Sequence, residues 1–328
     1  ASKLAAASAA SVGDAAARAG AAVAGAPSVW LLSQGTRGDV QPMVVLGQQL
    51  RRRGIRVKVF ASSNFRGFVE SYGLHFAAHG VDMQASIQKS GVQQDGEAET
   101  EKDKFKKKMV ENQDALGGDM IASIMTDEAY RDMALVFADA LKAERPGAIV
   151  FASLLGGLPM YAWRKYGIPC LHTTYFPTWF VDEQGLRGMW DDWVRIDRIV
   201  EAATNTASIA ATSYEDWRTW FLSPEACMTA HTAELMPRLS DLDGDLKDRA
   251  LNCRSLFTGF WVIDDASQMS DLEQFGGMEG LRMMQRFLDA GPPPVYIGWG
   301  SMPIDASVLT KALFQVKQAG QRAIVVGG

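Results

Sequence analysis

Gly35-Thr36-Arg37-Gly38-Asp39-Val40-Gln41-Pro42 is the first run in the chain whose residue types and spacing could do chemistry. It links a short apolar segment, residues 28–34, to a stretch of helical pattern from Gln41 to Arg53. The two glycines let backbone approach a ligand closely. The N-terminus of the helix that follows favours negative charge. Asp39 then stands outside the carboxyl end of a strand, where open α/β sheets bind ligands. A carboxylate at such a mouth is placed to act as a general base. The same residue type also caps helices, and a cap for a helix beginning near Val40 or Gln41 is the other reading of Asp39. Both stand at this point.

A second run has the same design. Pro292-Pro293-Pro294-Val295-Tyr296-Ile297-Gly298-Trp299-Gly300-Ser301-Met302-Pro303 carries a short strand into a turn of small residues, and a helical pattern follows. Backbone amides and the Ser301 hydroxyl there suit a pyrophosphate. The run lacks the Gly-Lys-Ser/Thr of a P-loop and is not the Gly-x-Gly-x-x-Gly of a dinucleotide site.

The elements needed to hold these runs can be read along the chain. Gly54 ends the first helix behind the basic residues Arg51–Arg53, which suit a helix C-terminus. Residues 55–61 read as a strand, Asn64 to Tyr72 as a helix and Leu74 to Ala77 as a short strand. Residues 82–118 are polar and charge-dense and are expected to be a mobile insertion. A helix over 119–143, a buried strand over 148–152, a helix over 157–166 and a strand over 169–174 continue the alternation. Further on, helices are expected near 187–202, 214–221, 278–290 and 305–319, and strands over 255–262, 295–299 and 322–326. Asp241–Asp248 reads as a charged loop. The alternation predicts an α/β fold: a Rossmann-like, mainly parallel sheet with helices on both faces, then the start of a second such domain. Residues 1–27 form an Ala-rich tail outside the fold, 28–291 the first domain and 292–328 the incomplete second one, with the proline run as boundary.

Composition narrows the function classes. A formal net charge of -5 argues against nucleic acid as a partner. The 3 cysteines, Cys170, Cys227 and Cys253, are too few and too scattered for a zinc site or a disulfide framework. No apolar run is long enough to span a bilayer. A cytoplasmic protein, or one peripheral at a membrane surface, is expected, with an organellar destination left open by the Ala-rich N-terminus. Of the 4 histidines, His75, His79, His172 and His231, none lies in the first loop. His172 reads as a core or cleft residue. Tyr175, Phe176, Trp179 and Phe180 have two readings, the lining of a flat apolar cleft or plain core. Trp190 to Val200 is amphipathic, and Asp191 and Asp192 favour packing over an anionic membrane.

Taken together, these segments resemble the N-terminal domain of family-28-type glycosyltransferases, and among them the sterol 3-β-glucosyltransferases. The resemblance rests on Gly35 to Pro42, on Asn64-Phe65-Arg66-Gly67-Phe68-Val69, on Tyr166 to Pro177, and on Thr258-Gly259-Phe260-Trp261 followed by the Pro-Pro-Val-Tyr-Ile-Gly-Trp-Gly-Ser-Met run. It implies a GT-B architecture with two Rossmann-like domains and the active site between them. The implied reaction is inverting transfer of a hexose, glucose by preference, from a UDP-sugar to the hydroxyl of a sterol or other lipophilic acceptor. Asp39 matches the proposed base. Gly35, Thr36, Arg37 and Gly38, with Gly300, Ser301 and Met302, are the implied donor-binding residues. His172, Tyr175, Phe176 and Trp179 are the implied acceptor-binding residues. Neither a metal nor a cofactor is expected beyond the UDP-sugar substrate.

The His-x-Gly-Gly-x-Gly-Thr segment and Asp-Gln pair of the family's donor domain do not occur in this sequence. Little transfer is therefore expected of this polypeptide alone, and the chemistry is assigned to a longer parent protein. The alternatives are a protein partner that completes the second domain, and an inactive binding or assembly subunit.

Overall fold

The computed structural model describes residues 27–80, 82, 85, 126–152, 155, 157–175, 183–205, 213–221, 227–235, 240, 244, 247, 256–264, 277–298 and 306–326. The chain divides into two compact units. The first gathers 1–34, 39–80 and 127–262, and the second 35–38, 81–126 and 263–328.

The first unit is built on strands β1 (Ser28–Leu32), β2 (Arg56–Ala61), β3 (His75–Ala78), β4 (Ala148–Ala152), β5 (Cys170–Thr174), β6 (Cys227–Thr229) and β7 (Leu256–Phe257). They lie in the order β3-β2-β1-β4-β5-β6-β7, every pair parallel. The connecting helices are α1 (Arg37–Arg52), α2 (Arg66–Ser71), α3 (Asp127–Ala143), α4 (Gly157–Tyr166), α5 (Glu183–Thr204) and α6 (Tyr214–Phe221). This is the doubly wound order, and its direction reverses between β1 and β4.

Alternation along each strand assigns the two faces. Leu32 pairs with Phe60 and Phe151, and Phe151 pairs with His172, so these side chains share one face with Trp30. On that face Trp30 and Phe60 meet Phe137 of α3, and Phe151 and His172 meet Trp193 of α5. Leu31 and Val57 point the other way, against α1. A Cβ on Gly47 would stand 3.2 Å from Leu31, 3.3 Å from Val57 and 2.8 Å from Leu74, so the helix lies flush on the sheet because that position has no side chain. Burial of whole side chains such as Trp30, Phe60, Phe137 and Phe151 contributes roughly 2–3 kcal/mol each.

The second unit includes α7 (Gly277–Asp289), β8 (Val295–Gly298), α8 (Ala306–Gln318) and β9 (Ala323–Val326). β8 and β9 are parallel neighbours, with Val295 opposite Ala323. The Arg322 guanidinium donates to the carbonyl of Pro292 at 2.8 Å and to that of Phe287, and lies over the Phe287 ring at 4.2 Å. That residue ties the end of α7 to the start of β9.

Several expectations change. The compact division falls at Ile263 and not at the proline run, so α7 groups with β8 and β9. α1 starts at Arg37, earlier than the pattern suggests. A helix starting at Gln41 would hold Pro42 in its first turn, whereas in a helix starting at Arg37 the proline lies inside. It has no N–H to give to the carbonyl four residues back, and the helix accommodates it one turn further in. The strand expected over 255–262 is paired only at Leu256 and Phe257, and Gly259 with φ +76° turns the chain out of the ladder. β6, three residues long, has no counterpart in the sequence reading. The Trp190–Val200 segment packs in the core, with Trp193, Ile196 and Val200 buried. The tail to Ala26, nearly all of the 82–118 insertion and most of the 241–248 loop lie outside the described residues. Among the described residues no helix is long and apolar enough to cross a membrane.

Candidate active site

The site begins where β1 gives out. The Ser33 amide still donates to the Phe60 carbonyl at 2.9 Å, and Ser33 and Gln34 remain buried. Gly35 then takes φ +144°, a conformation closed to residues with a side chain, and α1 begins two residues later. Asp39 is in the first turn of that helix, half-buried. A carboxylate there is favoured by the helix dipole. Thr36 just ahead of the helix and Asp39 three residues on have the spacing of a capping box. The cap reading and the base reading therefore apply to one position, inside the first turn. That position lies at the carboxyl end of β1, beside the reversal of strand order, where doubly wound sheets bind ligands.

The neighbouring strand ends supply the rest. β5 ends at Thr174, and Tyr175 follows with its ring partly exposed and its hydroxyl buried. Burial pushes the phenol well above its usual range, and the negative charge of Asp39 pushes it further. Tyr175 therefore stays protonated at any working pH and offers a neutral O–H in the field of Asp39. Ala230, just past β6, donates its amide to the Thr174 carbonyl at 2.9 Å, which brings the next residue, His231, to the same edge. His231 is buried, and its Nδ1 lies 2.8 Å from the Thr232 carbonyl.

Past β7, the Thr258 amide and hydroxyl both donate to the Thr229 carbonyl at 3.1 Å, and the Gly259 amide donates to the His231 carbonyl at 3.2 Å. Trp261 donates its indole N–H to the Thr258 hydroxyl at 2.9 Å and presents its ring edge to Tyr175 at 6.3 Å. Asp39, Tyr175, His231, Thr258 and Trp261 thus gather at one edge of one sheet, all within the first unit.

His172 is elsewhere. It lies in the middle of β5, fully buried, with Phe151 at 5.3 Å and Trp193 at 6.2 Å between ring centres. Burial lowers its pKa to about 3, so it is a neutral core residue under α5 and not part of the strand-end edge. Trp190, Trp193, Tyr214 and Trp217 likewise pack on one another between α5 and α6, Tyr214 stacked on Trp217 and the other pairs edge-on or tilted. Phe176, Trp179, Gly300, Ser301 and Met302 lie outside the described residues.

Residues 29–182 match the glycosyltransferase family 28 N-terminal domain. A sterol 3-beta-glucosyltransferase of Arabidopsis thaliana is 26% identical over 317 residues, covering 91% of this chain and 47% of the plant protein. Vancomycin aglycone glucosyltransferase of Amycolatopsis orientalis is 23% identical over 314 residues, covering 92% of this chain and 67% of that one. Among solved structures, the glycosyltransferase of kitacinnamycin superposes with a TM-score of 0.51 at 16% identity, over 92% of this chain and 65% of the other. Residues 29–182 are thus similar to the N-terminal domain of the family 28, GT-B type glycosyltransferases, and the doubly wound sheet has the fold of that domain. The chain spans about half the length of the plant relative, 47%, and so represents only part of the length on which that protein acts.

Proposed function

We propose that the protein to which this chain belongs transfers a hexose, glucose by preference, from a UDP-sugar to the hydroxyl of a sterol or similarly lipophilic alcohol. The observation that carries the proposal is the position of Asp39: first turn of α1, carboxyl end of β1, electrostatically coupled to a Tyr175 that cannot ionise beside it. The similarity to a sterol 3-beta-glucosyltransferase supports the acceptor class.

In the proposed reaction the acceptor oxygen attacks the anomeric carbon while the bond from that carbon to the UDP oxygen breaks. Configuration inverts, and the hydroxyl proton passes to Asp39. A free carboxylate is a weak base toward an alcohol, so the proton moves late, once the attacking oxygen has begun to carry positive charge. Tyr175 stays neutral and so adds no second negative charge beside that base. Charge on the departing diphosphate would be met by backbone amides and hydroxyls of Gly300, Ser301 and Met302 and of Gly35 to Gly38, with no metal required.

The test is Asp39→Asn in the full-length protein, with UDP-glucose and cholesterol as substrates and a UDP-release readout. Turnover should fall by at least a hundredfold, while UDP-glucose binding by calorimetry changes little. Retained turnover would remove Asp39 from the base role. A wild-type protein that transfers nothing to any lipid alcohol would favour the binding-subunit alternative.

A further inference from the structure

Tyr161 in α4 is almost wholly buried, and its hydroxyl has no hydrogen-bond partner of sound geometry among the described residues. What surrounds it is positive. The Lys165 ammonium lies 5.3 Å from the centre of the Tyr161 ring and 5.8 Å from that of Tyr166. The Arg145 guanidinium lies over the Tyr166 ring at 4.6 Å, and the two tyrosine rings meet edge-on at 6.1 Å. Lys142, in the last turn of α3, is near enough to both phenols to interact with them electrostatically. Burial holds the Tyr161 phenol above its usual range, against the pull of Lys165. Three cations and two phenols thus meet where α3 and α4 end.

The helix dipole accounts for part of this, since a cation in the last turn of a helix is favoured. It leaves the unmatched Tyr161 hydroxyl unexplained. Nearby acids do not neutralise the group. Asp139 pairs with Lys142 at 2.8 Å, both side chains largely exposed. Glu144, next to Arg145, is engaged by Arg56 at 3.2 Å and Lys58 at 2.6 Å. Arg145 and Lys165 make no ion pair among the described residues, and both rest on tyrosine rings.

These group types select the ligand. Ammonium, guanidinium and phenol all offer hydrogen. A cation is repelled there, and a neutral alcohol leaves the charge unanswered. An oxyanion accepts from every one of them. Three cations against the one carboxylate of Asp139 leave two positive charges. A phosphate monoester is close to a dianion at pH 7 and matches that excess. The position is not that of the donor. α3 and α4 end at the amino ends of β4 and β5, opposite the edge that holds Asp39. Strands of 5 residues put about 17 Å between the two edges. The diphosphate of a UDP-sugar held beside Asp39 does not reach so far.

We propose that Lys142, Arg145, Tyr161, Lys165 and Tyr166 form a binding site for a phosphate monoester, free or as a lipid headgroup, at the amino edge of the sheet. The site is independent of the transfer reaction proposed above.

Two measurements on the full chain test it: calorimetry with inorganic phosphate, and flotation with phosphatidylcholine vesicles with and without phosphatidic acid. Arg145→Gln combined with Lys165→Gln should weaken phosphate binding by about tenfold or more. Arg51→Gln combined with Arg52→Gln removes equal charge from the end of α1 and should change affinity by less than about twofold. Tyr161→Phe should weaken binding, yet leave the urea midpoint without phosphate unchanged or higher, because the free chain does not use that hydroxyl. A lower midpoint would show the hydroxyl bonded within the fold and overturn the site. Flotation that requires phosphatidic acid, yields to inorganic phosphate and is lost in the Arg145 and Lys165 double variant supports the site and assigns the headgroup. Phosphate binding without flotation supports it and assigns a soluble monoester. Wild type binding neither probe overturns it. So does phosphate affinity that survives in that double variant, or that falls equally in the α1 variant, which would mean diffuse charge only.

Discussion

Trp261 meets the ring of Tyr175 nearly edge-on, 6.3 Å between centres and 69° between planes, and is held in that attitude by its own N–H on the Thr258 hydroxyl at 2.9 Å. Thr258 in turn is anchored to the Thr229 carbonyl at the end of β6. The wall beside Tyr175 is thus fixed by one small residue that accepts from the indole and donates to the sheet.

Thr258→Val keeps the shape of that residue and removes both of those side-chain hydrogen bonds. Each exposed or half-exposed bond contributes about 1 kcal/mol net, so unfolding free energy should drop by roughly 1–2 kcal/mol. The freed indole should also show a changed tryptophan emission. A urea denaturation followed by fluorescence reads both quantities. An unchanged midpoint with unchanged emission would mean that Trp261 is held by packing alone.

Two buried histidines make the first unit sensitive to acid. Burial lowers His79 to about 4, against which hydrogen bonding to the Phe60 and Ser33 backbone works only in part, and burial lowers His172 to about 3. The unfolded chain protonates both near pH 6.5, whereas the folded one does so only near pH 4 and below. Between those limits the unfolded state binds more protons, so stability falls as pH drops from about 6.5 toward 4, by up to about 1.4 kcal/mol per pH unit for each histidine. His79→Gln should flatten about half of that slope, read from urea midpoints at pH 7, 6 and 5. A slope unaffected by the substitution would assign the acid sensitivity to other groups.

Legibility followed length and contact range. β4 and α6 keep their expected bounds because an apolar run of strand length and a compact amphipathic run carry their own signal. β6 did not, because Cys227-Met228-Thr229 is too short for an alternation to show and is defined only by pairing with β5. That omission also hid His231, which becomes a strand-end residue only once β6 is seen. The strand-end positions of Asp39 and Tyr175 were legible because each follows an apolar strand. His172 was not separable from them by sequence, since only where β5 ends decides which of its residues reach the edge and which stay in the core.

Gly47 controls where α1, and with it Asp39, can lie. A Cβ there would press on Leu74 at 2.8 Å, Leu31 at 3.2 Å and Val57 at 3.3 Å. Gly47→Ala gains helix propensity of about 1 kcal/mol but must lift the helix from the sheet, at a cost of roughly 1–3 kcal/mol. The net expectation is a modest loss of stability, with a larger loss of turnover than of UDP-glucose affinity in the full-length protein, because Asp39 is displaced from the acceptor. Gly47→Ala with wild-type turnover would show that the Leu74 side chain yields instead.

Arg164 of α4 and Asp197 of α5 form an ion pair, with the carboxylate fully buried and the guanidinium largely so. Gly157 of α4 lies against Ile196 and the Asp197 backbone, so the carboxylate sits where the two helices are in contact. Arg164→Met leaves a carboxylate without its counter-charge in a dry site and should cost about 3–5 kcal/mol. Arg164→Met combined with Asp197→Leu removes both charges and fills the same space, and should recover most of that loss. The quantity to measure is the coupling energy from the four urea unfolding curves. A double variant as unstable as Arg164→Met alone would mean that Asp197 also serves the backbone of α5, and that the carboxylate and not the pair is what the helix contact requires.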